Sequence, residues 1–161
     1  MVVDKVHIET ILAQVPDPEI PVLTIQDLGI YQGFHIENDT IVIKIIPTYT
    51  GCPAMDMIAV NIKSALQDEG IENVKINLVL DPPWTTDMIT EDGKQKMKEY
   101  GIAPPVEKSI AALDPDYKPY VACPQCNSEN TTLISHFGST ACKSHYKCES
   151  CLEPFDHFKC Y

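Results

Sequence analysis

A chain of 161 residues, 44% of them hydrophobic, has room for one ordinary domain plus a mini-domain and carries too much core-forming material for global disorder. It holds 23 acidic residues against 12 basic ones, a net charge of −11, and every basic residue is Lys. With no Arg and no basic surplus it is a poor nucleic-acid binder and lacks the forked donors of a phosphate clamp for a nucleotide or coenzyme A; no apolar run approaches the ~20 residues that span a bilayer.

Met1–His7 has neither a long apolar run nor a small-residue cleavage site, so a secretory signal is not expected and a cytoplasmic protein is. Residues 4–15 place Ile8, Ile11, Leu12 and Val15 at i, i+3, i+4, i+7, predicting an amphipathic helix capped by Asp4 and stopped by Pro16-Asp17-Pro18. A loop follows to Asp27-Leu28-Gly29. Strands are predicted over 30–36 and 40–46, with Glu37-Asn38-Asp39 as a tight hairpin, since Asn and Asp tolerate left-handed backbone angles. After the loop Pro47–Pro53 a helix is predicted at 54–69, with Met55, Ile58, Ile62, Ala65 and Leu66 on one face and Gly70 as its stop. Residues 73–80 read as a third strand, broken by Asp81-Pro82-Pro83-Trp84. A last helix is predicted over 91–100, with Thr90 as cap, Gly101 as stop and an unfavourable Gly93 inside.

Four prolines between 102 and 120 mark a linker, with one helical turn expected at 107–113. Beyond it lies a cysteine-rich tail, 121–161. Six of the seven cysteines stand after position 122, and four of them form two Cys-x-x-Cys pairs, Cys123/Cys126 and Cys148/Cys151, 21 residues apart. Two residues between thiolates let one tight turn aim both sulfurs at one ion, and two such turns complete a tetrahedral S₄ shell. A segment of this size buries too little surface to fold alone, so bound metal becomes folding energy. Zinc is the expected ion and rubredoxin-like iron its rival; Asn127 and Leu152, standing where rubredoxin-like turns usually carry Gly, favour zinc. Leu133, Ile134, Phe137, Tyr146, Phe155 and Phe158 are the expected small core. Cys142 and Cys160 are left over, as buried apolar residues, alternative ligands or a redox pair. His136, His145 and His157 read as structural or surface residues.

Cys52 is the chemically interesting residue of the first part. Pro53 suits the first turn of a helix, which puts Cys52 beside the amide end of the 54–69 helix, where a lowered thiol pKa is expected. The alternative is an inert, buried structural cysteine. Asp17, Glu19 and Asp27 are solvated or capping carboxylates, unless their loop folds against Cys52. Trp84 either covers that site or seals the core. No His is a clear partner for Cys52, and no catalytic triad can be assembled.

Asp17-Pro18-Glu19-Ile20, Asp27-Leu28-Gly29, Thr50-Gly51-Cys52-Pro53 and Asp81-Pro82-Pro83-Trp84 resemble the signature segments of the SufT-like iron–sulfur cluster assembly family, over roughly residues 5–103. With the ribbon included, Tyr100–Pro105, Gly138–Lys143 and Glu153–Cys160 are similar to the small D subunits associated with phenylacetyl-CoA epoxidases. The resemblance implies an α+β fold: a small βαβ-containing SufT-like domain over 1–103, a linker over 104–120 and a zinc-ribbon mini-domain over 121–161. It implies an accessory, maturation role without independent catalytic activity, assisting transfer of iron or an iron–sulfur cluster to the hydroxylase or reductase subunits. Cys52 becomes the transfer thiolate, with Asp17, Glu19 and Thr50 nearby, and zinc sits in the Cys₄ site. The alternatives are a zinc-stabilised adaptor with an inert Cys52, and a thiol oxidoreductase using Cys142 and Cys160. Homodimerisation stays open.

Overall fold

The computed structural model describes residues 4–105 and 120–159. The expected turn at 107–113, most of the linker and Cys160 lie outside the described residues. The chain divides into two compact units, 1–93 and 94–161.

In the first unit, Asp4 accepts a hydrogen bond from the Val6 amide at 3.0 Å and starts α1, Lys5–Leu12, which buries Ile8 and Leu12. The prolines end it, as the sequence predicts. β1, Tyr31–Glu37, and β2, Thr40–Ile45, form an antiparallel hairpin in which Glu37 pairs with Thr40. The turn is therefore the two residues Asn38 and Asp39, at φ 48° and 62°, a geometry that matches the right-handed twist of the strands. β2 crosses through α2, Ala54–Asp68, to β3, Val74–Leu78, which lies parallel to it. This is the expected βαβ unit, in a sheet ordered β1-β2-β3. β2 is the middle strand and reads as a near-continuous apolar run: Ile41, Val42, Ile43 and Ile45 are buried, and Lys44 lies exposed on the more open face. From α2, Met55, Ile58, Ile62 and Leu66 reach the core, and Gly70 at φ 79° ends the helix.

Trp84 is buried and its Nε1 donates to the Leu28 carbonyl at 2.8 Å, so it seals the core. Thr90 caps α3, Glu91–Glu99, by accepting from the Gly93 amide at 3.0 Å. Gly93, the residue that argues against this helix on propensity, is required by packing: a Cβ there would lie 2.9 Å from the Asp27 carbonyl oxygen.

The second unit holds a four-stranded sheet ordered β4-β7-β6-β5: β4, Ile102–Ala103; β5, Thr131–Ser135; β6, Lys143–Cys148; β7, Pro154–Phe158. β4, which the sequence reading assigns to the first domain, hydrogen-bonds parallel to β7. The ribbon core is Ala103, Val121, Cys123, Cys148 and Phe155, with Tyr146 and Cys151 packed against it; Phe158 is also buried. Leu133, Ile134 and Phe137, expected in this core, are exposed at 38%, 56% and 68%. β5 is an edge strand with little cover, and Cys123 and Cys148, one from each pair, take the interior instead. Phe137 instead lies under the Lys159 ammonium, 4.4 Å from the ring centre.

Candidate metal site and thiol site

The two Cys-x-x-Cys turns are near copies of each other. In the first, the Cys123 amide donates to the Ser128 carbonyl; in the second, the Cys148 amide donates to the Glu153 carbonyl, both at 2.9 Å. The residue after each second cysteine, Asn127 or Leu152, is left-handed, at φ 60° and 68°. That is the conformation the Gly of rubredoxin-like turns supplies, adopted here by residues with side chains. Ser128 and Ser150 tie the turns together through hydroxyls 2.7 Å apart.

The four Sγ atoms lie within 4.8 Å of one another. Cys123 and Cys151 are separated by 3.7 Å, Cys126 and Cys148 by 3.6 Å. A tetrahedron with Zn–S bonds of about 2.3 Å has edges of about 3.8 Å, so the sulfurs are spaced for one tetrahedral ion. They are far beyond the ~2.05 Å of a disulfide, and all four are free thiols. Cys123 and Cys148 are buried, Cys126 and Cys151 open outward. The Cys151 amide donates to Cys148 Sγ at 3.4 Å and draws that thiol down, while burial and the neighbouring sulfurs push Cys151 up, so Cys148 is the thiol of the cluster that gives up its proton first. The donor set fits a metal ion in S₄ coordination. Cys142 is buried, as expected of a small apolar residue, with Thr140 Oγ1 2.9 Å from its sulfur. His145 pairs with Asp156 at 3.0 Å and His157 is buried beside Ser144; neither belongs to the cysteine cluster.

Cys52 sits just before α2, whose N-cap is Pro53, and it is half-buried. The Ala54 amide and the side chains of Tyr49 and Thr48 pull the pKa of its sulfur down, and the Glu19 carboxylate pushes it up from longer range. The Glu19 loop thus lies within electrostatic reach of Cys52. The expected low thiol pKa is corrected, however. Burial of the sulfur outweighs the helix amide and the hydroxyls, and the pKa is raised. Asp17 is buried and its Oδ1 accepts from the Glu19 and Ile20 amides at 2.9 and 2.8 Å, so it shapes the loop that carries Glu19. Asp27 caps in the same way, accepting from the Thr24 amide while Thr24 Oγ1 accepts from the Asp27 amide. Thr50 is exposed; the side chains that act on the sulfur belong to Thr48 and Tyr49. Sequence reasoning passed these two over, although both lie within four residues of Cys52, the distance over which one loop folds back on its own end.

Among the described residues no helix is long and apolar enough to cross a membrane. Residues 5–78 match the model of the iron–sulfur cluster assembly protein family, and residues 110–159 match the PaaD zinc beta ribbon domain. The chain is 50% identical, over 97% of its own length and 93% of the relative's, to an Escherichia coli K12 protein named as the D component of 1,2-phenylacetyl-CoA epoxidase. It is 35% identical to an Fe-S protein maturation auxiliary factor of Porphyromonas gingivalis, over 50% of this chain and 78% of that one. A crystal structure of a domain of unknown function, DUF59, from Bacillus anthracis is 27% identical, with a TM-score of 0.52 over 58% of this chain and 90% of that chain. A cluster-assembly domain followed by a four-cysteine β-ribbon, matched from end to end, places the chain in the family of phenylacetyl-CoA epoxidase D components.

Proposed function

We propose that this protein is a maturation subunit of a phenylacetyl-CoA epoxidase system in the cytoplasm, and that it assists transfer of iron or an iron–sulfur cluster to the hydroxylase or reductase subunit. Cys52 is the thiol that meets the incoming ion, with Glu19 as a hard oxygen donor on the neighbouring loop and Asp17 holding that loop in place. Thr50 flanks the site from the solvent side. The observation that carries this reading is the half-buried Cys52 at the start of α2, within the electrostatic influence of Tyr49, Glu19 and Thr48, in a domain matched to cluster assembly proteins. A soft sulfur with a hard carboxylate within electrostatic reach suits iron, and the raised pKa keeps the thiol protonated until a metal displaces the proton.

The ribbon is held by zinc on Cys123, Cys126, Cys148 and Cys151, and zinc here supplies folding energy rather than chemistry. The test of the transfer role is Cys52→Ala in the host, with iron measured in the purified hydroxylase and reductase. Iron content falling severalfold in one of them supports the role; unchanged iron and activity refute it.

A second reading has its own support. A thiol pushed up in pKa is a weaker nucleophile and ligand, as expected of an inert cysteine in a structural adaptor. In that case removing residues 121–161 abolishes binding to the epoxidase subunits and Cys52→Ala changes nothing.

A further inference from the structure

The four-sulfur site is built from two unequal halves. Cys123 and Cys148 are buried in the ribbon core among Ala103, Val121 and Phe155. Cys126 is exposed and Cys151 only partly covered. Packing therefore fixes the inner sulfurs, while the outer two depend on how the Cys-x-x-Cys turns are held to each other. The outer sulfurs are also where water or a competing ligand reaches a bound ion.

Away from the sulfurs the turns meet through the Glu149 amide, which donates to the Asn130 carbonyl at 2.9 Å, and through the Ser128 and Ser150 hydroxyls, 2.7 Å apart. Ser128 is fixed before it meets Ser150. Its carbonyl accepts from the Cys123 amide at 2.9 Å, and its Oγ accepts from the Asn130 amide at 3.1 Å. Ser128 follows Cys126 by two residues, and Ser150 directly precedes Cys151. The hydroxyl pair thus joins the two segments that carry the outer sulfurs. The turns are otherwise near copies, yet the positions matching these serines hold Glu153 and Gln125. The serine pair is not something the Cys-x-x-Cys repeat itself demands. A hydrogen bond this open to water adds little to global stability, so its effect falls on local opening of the site.

We infer that Ser128 and Ser150 are positioning residues, a clasp that governs how long the ribbon keeps its metal. With the hydroxyls joined, Cys126 and Cys151 part less often from Cys123 and Cys148, and the ion is released more slowly. Neither serine is one of the four sulfur ligands, so the clasp acts on retention and leaves the ligand set unchanged. The inference rests on the ribbon zinc of the proposed function and is independent of Cys52.

The experiment uses the full chain loaded with zinc and follows transfer of the ion to the chromogenic chelator 4-(2-pyridylazo)resorcinol. Ser150→Ala removes the clasp and leaves Ser128 on the Asn130 amide. Release is expected to be about fivefold faster, the worth of one net hydrogen bond acting at that step. Ser150→Thr, which keeps a hydroxyl, should release zinc at the unaltered rate. Ser128→Ala should also speed release, and adding Ser150→Ala to it should speed release no further, because a single contact is lost only once. The visible spectrum of the cobalt(II) form should keep the same tetrahedral thiolate bands in every variant. Unchanged release in Ser150→Ala, effects of the two serines that multiply, or altered cobalt bands in Ser150→Ala would each overturn the clasp while leaving the ribbon metal standing. A chain that takes up neither zinc nor cobalt would overturn the ribbon metal and the clasp together.

Discussion

Two single residues show how closely backbone and side-chain chemistry are set. Gly29 has φ 68°, and a Cβ there would strike the Met88 carbonyl. Gly29→Ala therefore combines left-handed strain with a backbone clash and is expected to cost about 2–4 kcal/mol, read by urea denaturation. His157 is buried, which lowers its pKa to about 4, helped by Lys159. Between pH 6.5 and about 4 the unfolded chain takes up a proton that the folded one refuses, so this group's contribution to stability is full above pH 6.5 and is lost as pH falls to about 4. The loss is on the order of 3 kcal/mol, and His157→Gln should remove that part of the pH dependence. Neither feature is legible in the sequence: the Asp-Leu-Gly motif marks a turn without revealing Met88 above it, and the burial of His157 depends on pairing between β6 and β7. Cys52 is the sharper lesson. Its place beside α2 can be read from Pro53, but the sign of its pKa shift cannot, because burial is a property of the folded loop.

At the scale of elements, sequence is most informative where local chemistry decides. Caps at Asp4 and Thr90, the Asn38-Asp39 turn and the Gly70 stop all act within a few residues of chain. It misleads where cover decides. Leu133, Ile134 and Phe137 have the composition of a core, yet β5 lies at an edge and its apolar side chains face solvent. Sulfur fills the ribbon instead, with Cys123 and Cys148 buried among Val121 and Phe155. Cys148→Ser should then cost the ribbon its metal and its fold together, since structural zinc supplies an apparent ~10–16 kcal/mol in small domains. Loss of zinc by metal analysis, with loss of dispersed ribbon resonances and retention of those from residues 5–78, is the expected outcome.

Across the whole molecule, the acidic, Arg-free composition argues against nucleic acid from the start, and cysteine spacing marks out the ribbon, while the division of the chain into units at residue 93, ahead of the proline-rich stretch, depends on the pairing of β4 with β7. Spacing alone places all four ribbon cysteines, because a Cys-x-x-Cys turn is nearly its own structure. The thiol site needs the fold: Glu19 and Cys52 are 33 positions apart, and only the folding of the loop that Asp17 organises brings the carboxylate to bear on the sulfur. The proposed function divides the thiols: Cys123, Cys126, Cys148 and Cys151 give shape, and Cys52 serves transfer. Its most direct test is metal and labile-sulfide analysis of the protein purified without oxygen, beside Cys52→Ala. The account predicts about one zinc per chain in both, with iron or sulfide above background only where Cys52 is present. Zinc alone in both proteins, or iron that persists without Cys52, would contradict it.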